Sequence, residues 1–191
     1  MLAHLGVDFE VVRPDVDELT EGEPADVVLE NARRKAEAGL KQVGVGDSGV
    51  LVLGVDTDVA LDGRLLGKAS TEEEARKRLE ALSGRTHEVL SGVVLVGADA
   101  LVVDSPTRAS ANARSDERAG VARSYVTFRR LDDTTLTMYL RSGEWRGRAG
   151  AYAIQGLGAI LVEELRGDFS NVVGLPLALL LDLAPELGKS L

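Results

Sequence analysis

Val50-Leu51-Val52-Leu53-Gly54-Val55-Asp56-Thr57-Asp58-Val59-Ala60-Leu61-Asp62-Gly63-Arg64-Leu65-Leu66-Gly67-Lys68 is the stretch that decides the fold. Its first residues form a short apolar run bounded by glycine, which reads as a buried strand. Asp62-Gly63, set between Val59-Ala60-Leu61 and Arg64-Leu65-Leu66, signals a two-residue hairpin, because these residue types accept the positive φ of a tight turn. A hairpin requires an antiparallel pair. Strand and helix signals alternate along the rest of the chain, so an α/β fold is expected, with a mixed sheet and flanking helices rather than a purely parallel sheet. The stretch also raises a chemical question. The apolar run is expected to end in Asp56-Thr57-Asp58, and an unpaired buried carboxylate costs on the order of several kcal/mol.

Downstream, Thr71 with Glu74 three residues later forms a capping box, and Ala75, Leu79 and Leu82 give a helical stripe that Gly84 stops. Val89 to Val96 is valine-rich and reads as a buried strand. Residues 104–119 hold few large apolar side chains and are expected to form a mobile loop within a single domain spanning 1–191. Tyr125 to Phe128 is a strand, and Asp132 or Asp133 caps a helix carrying Leu136, Tyr139 and Leu140 that ends at Gly143. Ala159 to Val162 is expected as another strand, and Asn171 as the cap of a last helix whose apolar run is Leu177 to Leu183.

Upstream, Leu2, Ala3 and Leu5 before Gly6 resemble the last turn of a helix with a glycine cap. Phe9, Val11 and Val12 suggest a short strand ended by Pro14, and Asp15-Val16-Asp17-Glu18 an acidic loop. Pro24 suits a first helical turn, and Val28, Ala32, Ala36, Leu40 and Val43 recur at helical spacing, so a helix is expected over 24–42. Asp26, Glu30 and Arg34 lie four apart on it. Gly44 to Gly49 matches G-x-G-x-x-G but follows a helix and opens a strand, the reverse of a dinucleotide fingerprint, so it reads as a turn.

With 45% apolar residues in 191, the chain can bury a proper core. The formal charge of −9 and the lack of a basic stripe argue against a nucleic-acid partner. Cysteine is absent, which removes disulfides, thiolate metal sites and cysteine nucleophiles. No apolar run reaches membrane-span length, and the first residues lack the pattern of a signal peptide, so the expected protein is soluble and cytoplasmic with no membrane partner.

Asp56 is the leading candidate for chemistry; the competing reading is a carboxylate satisfied by turn amides at a strand end. Alternation places Asp56 and Asp58 on one face and Thr57 on the other. Lys68 after Gly67 and Arg85 after Gly84 are loop cations that read either as solvated charges or, with Lys35 on its helix, as clamps for phosphate oxygens. His87 is one of two histidines, and no histidine pair stands at metal-ligand spacing. Asp17 and Glu18 supply hard oxygens, and carboxylates without His or Cys favour Mg²⁺ or Mn²⁺ over zinc. Gly150-Ala151-Tyr152-Ala153-Ile154-Gln155-Gly156-Leu157-Gly158 combines glycines that admit a close ligand with a side-chain amide suited to a nucleobase edge; a plain turn before a strand is the alternative.

Several of these stretches, in order, resemble the Maf family of nucleoside triphosphate pyrophosphatases. They are Leu5 to Val12, Asp17-Glu18, Arg34-Lys35-Ala36, Gly54-Val55-Asp56-Thr57 with Leu66-Gly67-Lys68, Ser83 to Val89, Ala149 to Gly156, and Asn171 to Leu177. The resemblance implies two lobes around a cleft, akin to inosine triphosphate pyrophosphatases. It implies hydrolysis of a nucleoside triphosphate to the monophosphate and pyrophosphate with a divalent cation. Asp56 would be the general base and, with Glu18, a metal ligand; Lys35, Lys68 and Arg85 would bind phosphate; Thr57 and Gln155 would set substrate choice. The Ala-Tyr-x-Ile-Gln-Gly form resembles the branch acting on dTTP and UTP, and a homodimer would match the family's habit.

Family members open with a strand and a Ser-x-Ser-Pro-Arg-Arg loop that the sequence from Met1 does not contain. Either the start codon lies upstream, or the chain is an impaired member that binds nucleotide as a regulator linked to septum formation. Val55, Asp58, Ala69 and Gly147-Arg148 also depart from the family pattern, the last replacing Asp-Lys.

Overall fold

The computed structural model describes residues 1–43, 50–97 and 117–190. The hairpin reading holds. Strand β1 (Leu51–Leu61) turns through Asp62 and Gly63, with φ of 52° and 73°, into the two-residue β2 (Arg64–Leu65). Helix α2 (Glu72–Leu82) follows, with the Thr71 side chain accepting from the Glu74 N–H. It carries the chain back so that β3 (Thr86–Gly97) runs antiparallel to β1, and β4 (Arg118–Phe128) and β5 (Val162–Arg166) follow in the order β2-β1-β3-β4-β5. Every pairing among the described strands is antiparallel, so the parallel component of a mixed sheet is not found among them.

Helix α1 (Pro24–Val43) packs on one sheet face, where Ala32, Ala36 and Leu40 meet Val94 and Val96. On the opposite face, Val93 and Leu95 pack with Leu5 and with Leu180 of α5 (Leu177–Leu183). Alternate residues of β3 therefore serve two cores, which explains its unbroken apolar run. The third and largest core lies at the far end of the sheet. There α2 and α3 (Asp133–Ser142) close over Val89, Phe128, Tyr139 and Tyr152.

Asp56 does not end its strand. It lies in the middle of β1, opposite Gly92 of β3, because its charge is met from α1 rather than by turn amides. Ala159 to Leu161 is not a strand but the end of a 3-10 turn (Gly156–Leu161), with β5 beginning only at Val162. Asn171 does not cap the last helix; it sits inside the short α4 (Phe169–Val173), fully buried, donating to the Val89 carbonyl and Ser124 Oγ. Phe9, Val11 and Val12 form no strand, since no described segment pairs with them, and Phe9 and Val11 stand exposed. Residues 44–49 and 104–116 lie outside the described residues, while Arg118 and Ala119, read as loop, already belong to β4. Glu30 pairs with Arg34 at 3.1 Å as the spacing suggests.

His87 lies near the start of β3. It is buried in β3, with Nε2 2.8 Å from the Tyr152 hydroxyl and edge-on contacts to Phe128 and Tyr152. Burial pushes its pKa down to about 4. The unfolded chain therefore takes up a proton below pH 6.5 that the folded chain refuses until about pH 4, so stability falls as pH drops through that window. The expected loss is about 3 kcal/mol across it. Urea unfolding of the protein and of His87→Gln between these limits should show a shallower pH slope in the variant. Equal slopes would mean that His87 takes no part.

Candidate active site

The site grows from the contact between α1 and the sheet. A Cβ added at Gly54 would lie 2.2 Å from the Ala32 carbonyl oxygen, and one at Gly92 2.2 Å from that of Val28. Glycine at these two positions lets the helix rest on strand backbone. That closeness brings Lys35, on α1, to Asp56, whose side chain points at the helix and is only 10% exposed. Lys35 Nζ lies 2.6 Å from Asp56 Oδ1 and 2.6 Å from Glu18 Oε1, so one ammonium bridges two carboxylates. Lys68 Nζ lies 3.8 Å from Glu18 Oε2. Burial opposes the Lys35 charge, but the hydrogen bonds and charges of Asp56 and Glu18 outweigh it and hold the pKa above the ordinary lysine value. Burial likewise opposes ionisation of Glu18, and Lys35 with Lys68 overcomes it, so its pKa falls below the usual carboxylate value.

Sequence reading missed Asn31. It is buried on α1, donates to Asp56 Oδ2 at 3.1 Å and pairs with both main-chain polar groups of Leu19. The signal was present: a polar residue on the apolar face of the helix, between Val28 and Ala32. Asp58 shares the face of Asp56 but turns to the hairpin, where its Oδ1 accepts the Val59 and Gly67 N–H groups. Burial raises its pKa, those two bonds oppose the rise, and the Asp56 charge adds to it.

On the other side of β1 lies an open cavity of about 480 Å³. Thr57, Lys68, Tyr152, Gln155 and Gly174 contribute to its wall. Thr57 Oγ1 is 2.7 Å from Ser91 Oγ. Gln155 stands at the N-cap of the 3-10 turn. Glu144 braces that turn by accepting the Leu157 and Gly158 N–H groups, and Tyr139 accepts the Ala153 N–H. Lys68 belongs to both halves, lining the cavity and facing Glu18. The structure thus groups Glu18, Lys35 and Asp56 on one side of β1 and Thr57 and Gln155 on the other, with Lys68 reaching both. Arg85 joins neither group; its guanidinium pairs with Asp62 at 2.7 Å on the exposed hairpin. Spacing alone also gave no role to Val172, Val173 and Gly174, yet they line the cavity, as do Glu144 and Arg148.

Among the described residues no three carboxylates or histidines converge into a metal centre. The donor set is instead two carboxylates that already share one cation, the Lys35 ammonium. Such a pair suits a hard divalent ion of the magnesium class, which keeps waters and takes substrate oxygens rather than a full protein cage. Among the same residues no helix is long and apolar enough to cross a membrane.

The chain is similar to several known proteins. A chain named dTTP/UTP pyrophosphatase from Dictyoglomus thermophilum is 39% identical over 194 aligned residues, covering 100% of this chain and 91% of that one. Another of that name from Deinococcus radiodurans is 40% identical, covering 100% of this chain and 88% of its own length. A third, from Anaeromyxobacter dehalogenans, is 44% identical, covering 93% and 82%. A profile described as Maf-like protein matches residues 1–187, and the chain belongs to the Maf family.

Proposed function

We propose that this protein is a nucleoside triphosphate pyrophosphatase that hydrolyses dTTP and UTP to the monophosphate and pyrophosphate. The observation that carries the reading is the Glu18–Lys35–Asp56 bridge beside a cavity that Thr57 and Gln155 line. Relatives named for this activity align over nearly the whole chain, which supports the substrate class.

In this reading Asp56 takes the proton of the attacking water. Lys35 and Asn31 occupy one contact on each of its oxygens. An ionised carboxylate offers about four lone-pair sites, so some remain for water. Lys68, more than half exposed and only loosely paired with Glu18, is free to turn to phosphate oxygens. Lys35 offsets charge as pyrophosphate leaves. A bound Mg²⁺ or Mn²⁺, held by Glu18 and Asp56, would polarise the phosphate and lower the pKa of coordinated water. Gln155 presents donor and acceptor to the pyrimidine edge, and Thr57 fills the wall beside it.

The test is pyrophosphate release from UTP, dTTP, CTP and GTP with Mg²⁺ or Mn²⁺. UTP and dTTP should be turned over fastest. Gln155→Ala should lower kcat/KM for those two about tenfold, the cost of one lost hydrogen-bonding side chain, and narrow the margin over CTP. Binding of UTP without any release would favour the regulator reading. An unchanged substrate ranking in the variant would remove Gln155 from base recognition.

A further inference from the structure

Asn31 is 2% exposed, and three hydrogen bonds hold its amide. Oδ1 accepts the Leu19 N–H at 2.7 Å, while Nδ2 donates to the Leu19 carbonyl at 3.0 Å and to Asp56 Oδ2 at 3.1 Å. Only an oxygen can face the Leu19 N–H, so the amide orientation is fixed and both Nδ2 hydrogens are used. The side chain pairs with the Leu19 backbone as a neighbouring strand would. It does so in a stretch, residues 7–23, that forms no helix or strand of its own. Glu18 immediately precedes Leu19.

We propose that Asn31 is a positioning residue that ties Glu18 to Asp56 and so makes one two-carboxylate site from two distant segments. This rests on the pyrophosphatase reading above. Lys35 attracts Glu18 by charge, but a charge does not fix a loop in one geometry. An unpaired loop retains backbone freedom worth about 1–2 kcal/mol per residue, and a misplaced carboxylate loses most of its catalytic value. A purely structural asparagine needs only the Leu19 contacts. The third bond, to Asp56, connects the tether to the reacting group.

The test combines kinetics with amide exchange. In UTP hydrolysis, Asn31→Ala and Glu18→Gln should each lower kcat about tenfold with KM changed less than about twofold. The double variant should be little worse than the poorer single one, because both remove the same arrangement. Amides of residues 15–22 should exchange about tenfold faster in Asn31→Ala, with β3 unaffected. Asn31→Ser, neutral and too short to reach both Leu19 and Asp56, serves if the alanine variant does not fold, and should show the same faster exchange and the same fall in kcat. Unchanged kcat, multiplicative losses in the double variant, or unchanged exchange at 15–22 would each overturn the proposal. The exchange result stands even if the wild-type protein hydrolyses no nucleotide, so failure of the activity reading is separable from failure of the tether.

Discussion

Asp56→Asn should reduce pyrophosphate release from UTP and dTTP by about 10³-fold or more, within the range expected when a positioned general base is lost. The amide keeps the shape of the side chain but cannot take a proton from water. It also removes one of the two carboxylates on Lys35, leaving Glu18 as that ammonium's partner. Folding should survive, because burying a neutral amide that Asn31 and Lys35 can still contact costs less than burying a charge. Nucleotide binding should survive as well, since the cavity wall is built from Thr57, Lys68 and the 152–156 and 172–174 segments rather than from Asp56. The diagnostic pattern is therefore a collapse of kcat with a retained melting temperature and a retained Kd for UTP. Asp58→Asn is the informative comparison. Its carboxylate is committed to the Val59 and Gly67 amides, so its loss should act on the hairpin and cost far less turnover. Equal losses in the two variants, or wild-type turnover in Asp56→Asn, would mean that the base lies elsewhere.

The site was legible in the sequence to the extent that local signals carry it. Asp62-Gly63 fixed the hairpin, Thr71 with Glu74 fixed the start of α2, and Pro24 with its apolar stripe fixed α1. Glu18, Lys35, Asp56 and Lys68 stood out by residue type and setting, the family resemblance gave each a role, and they meet in space. What local reading could not supply is pairing between distant segments. Asp56 looks like a strand end because a carboxylate inside a buried strand looks too costly; its partners come from α1, at positions 31 and 35. Arg85 has the loop setting of a phosphate clamp, but Asp62 across the hairpin holds it. Ala159 to Val162 has strand composition, yet the Glu144 carboxylate draws the Leu157 and Gly158 amides into a 3-10 turn that runs to Leu161. Each difference arises from a side chain that tertiary contact brings in from elsewhere.

Gly92→Ala should damage both stability and turnover, although residue 92 touches no candidate catalytic group. Its Cβ would sit 2.2 Å from the Val28 carbonyl oxygen and 2.7 Å from Leu29 Cα, both helix backbone that no rotamer change can move. The helix must retreat from the sheet. Overpacking of this kind costs about 1–3 kcal/mol. For a chain of this length that is roughly 2–12 °C in Tm. The retreat also draws Asn31 and Lys35 away from Asp56, which stands directly across the sheet from Gly92. A displacement of about 1 Å at a catalytic constellation can cost on the order of 10²-fold in rate. Gly97→Ala provides the control within the same strand, since a Cβ there meets none of the described residues within 4 Å. It should leave Tm and kcat near wild type. The separating measurement is kcat for Gly92→Ala well below its melting transition. A large fall there, with the fold intact by circular dichroism, ties catalysis to the approach of α1 onto the sheet. Wild-type kcat in a merely destabilised protein would show that the helix can shift without disturbing the Lys35–Asp56 contact, and that glycine at this position serves packing alone.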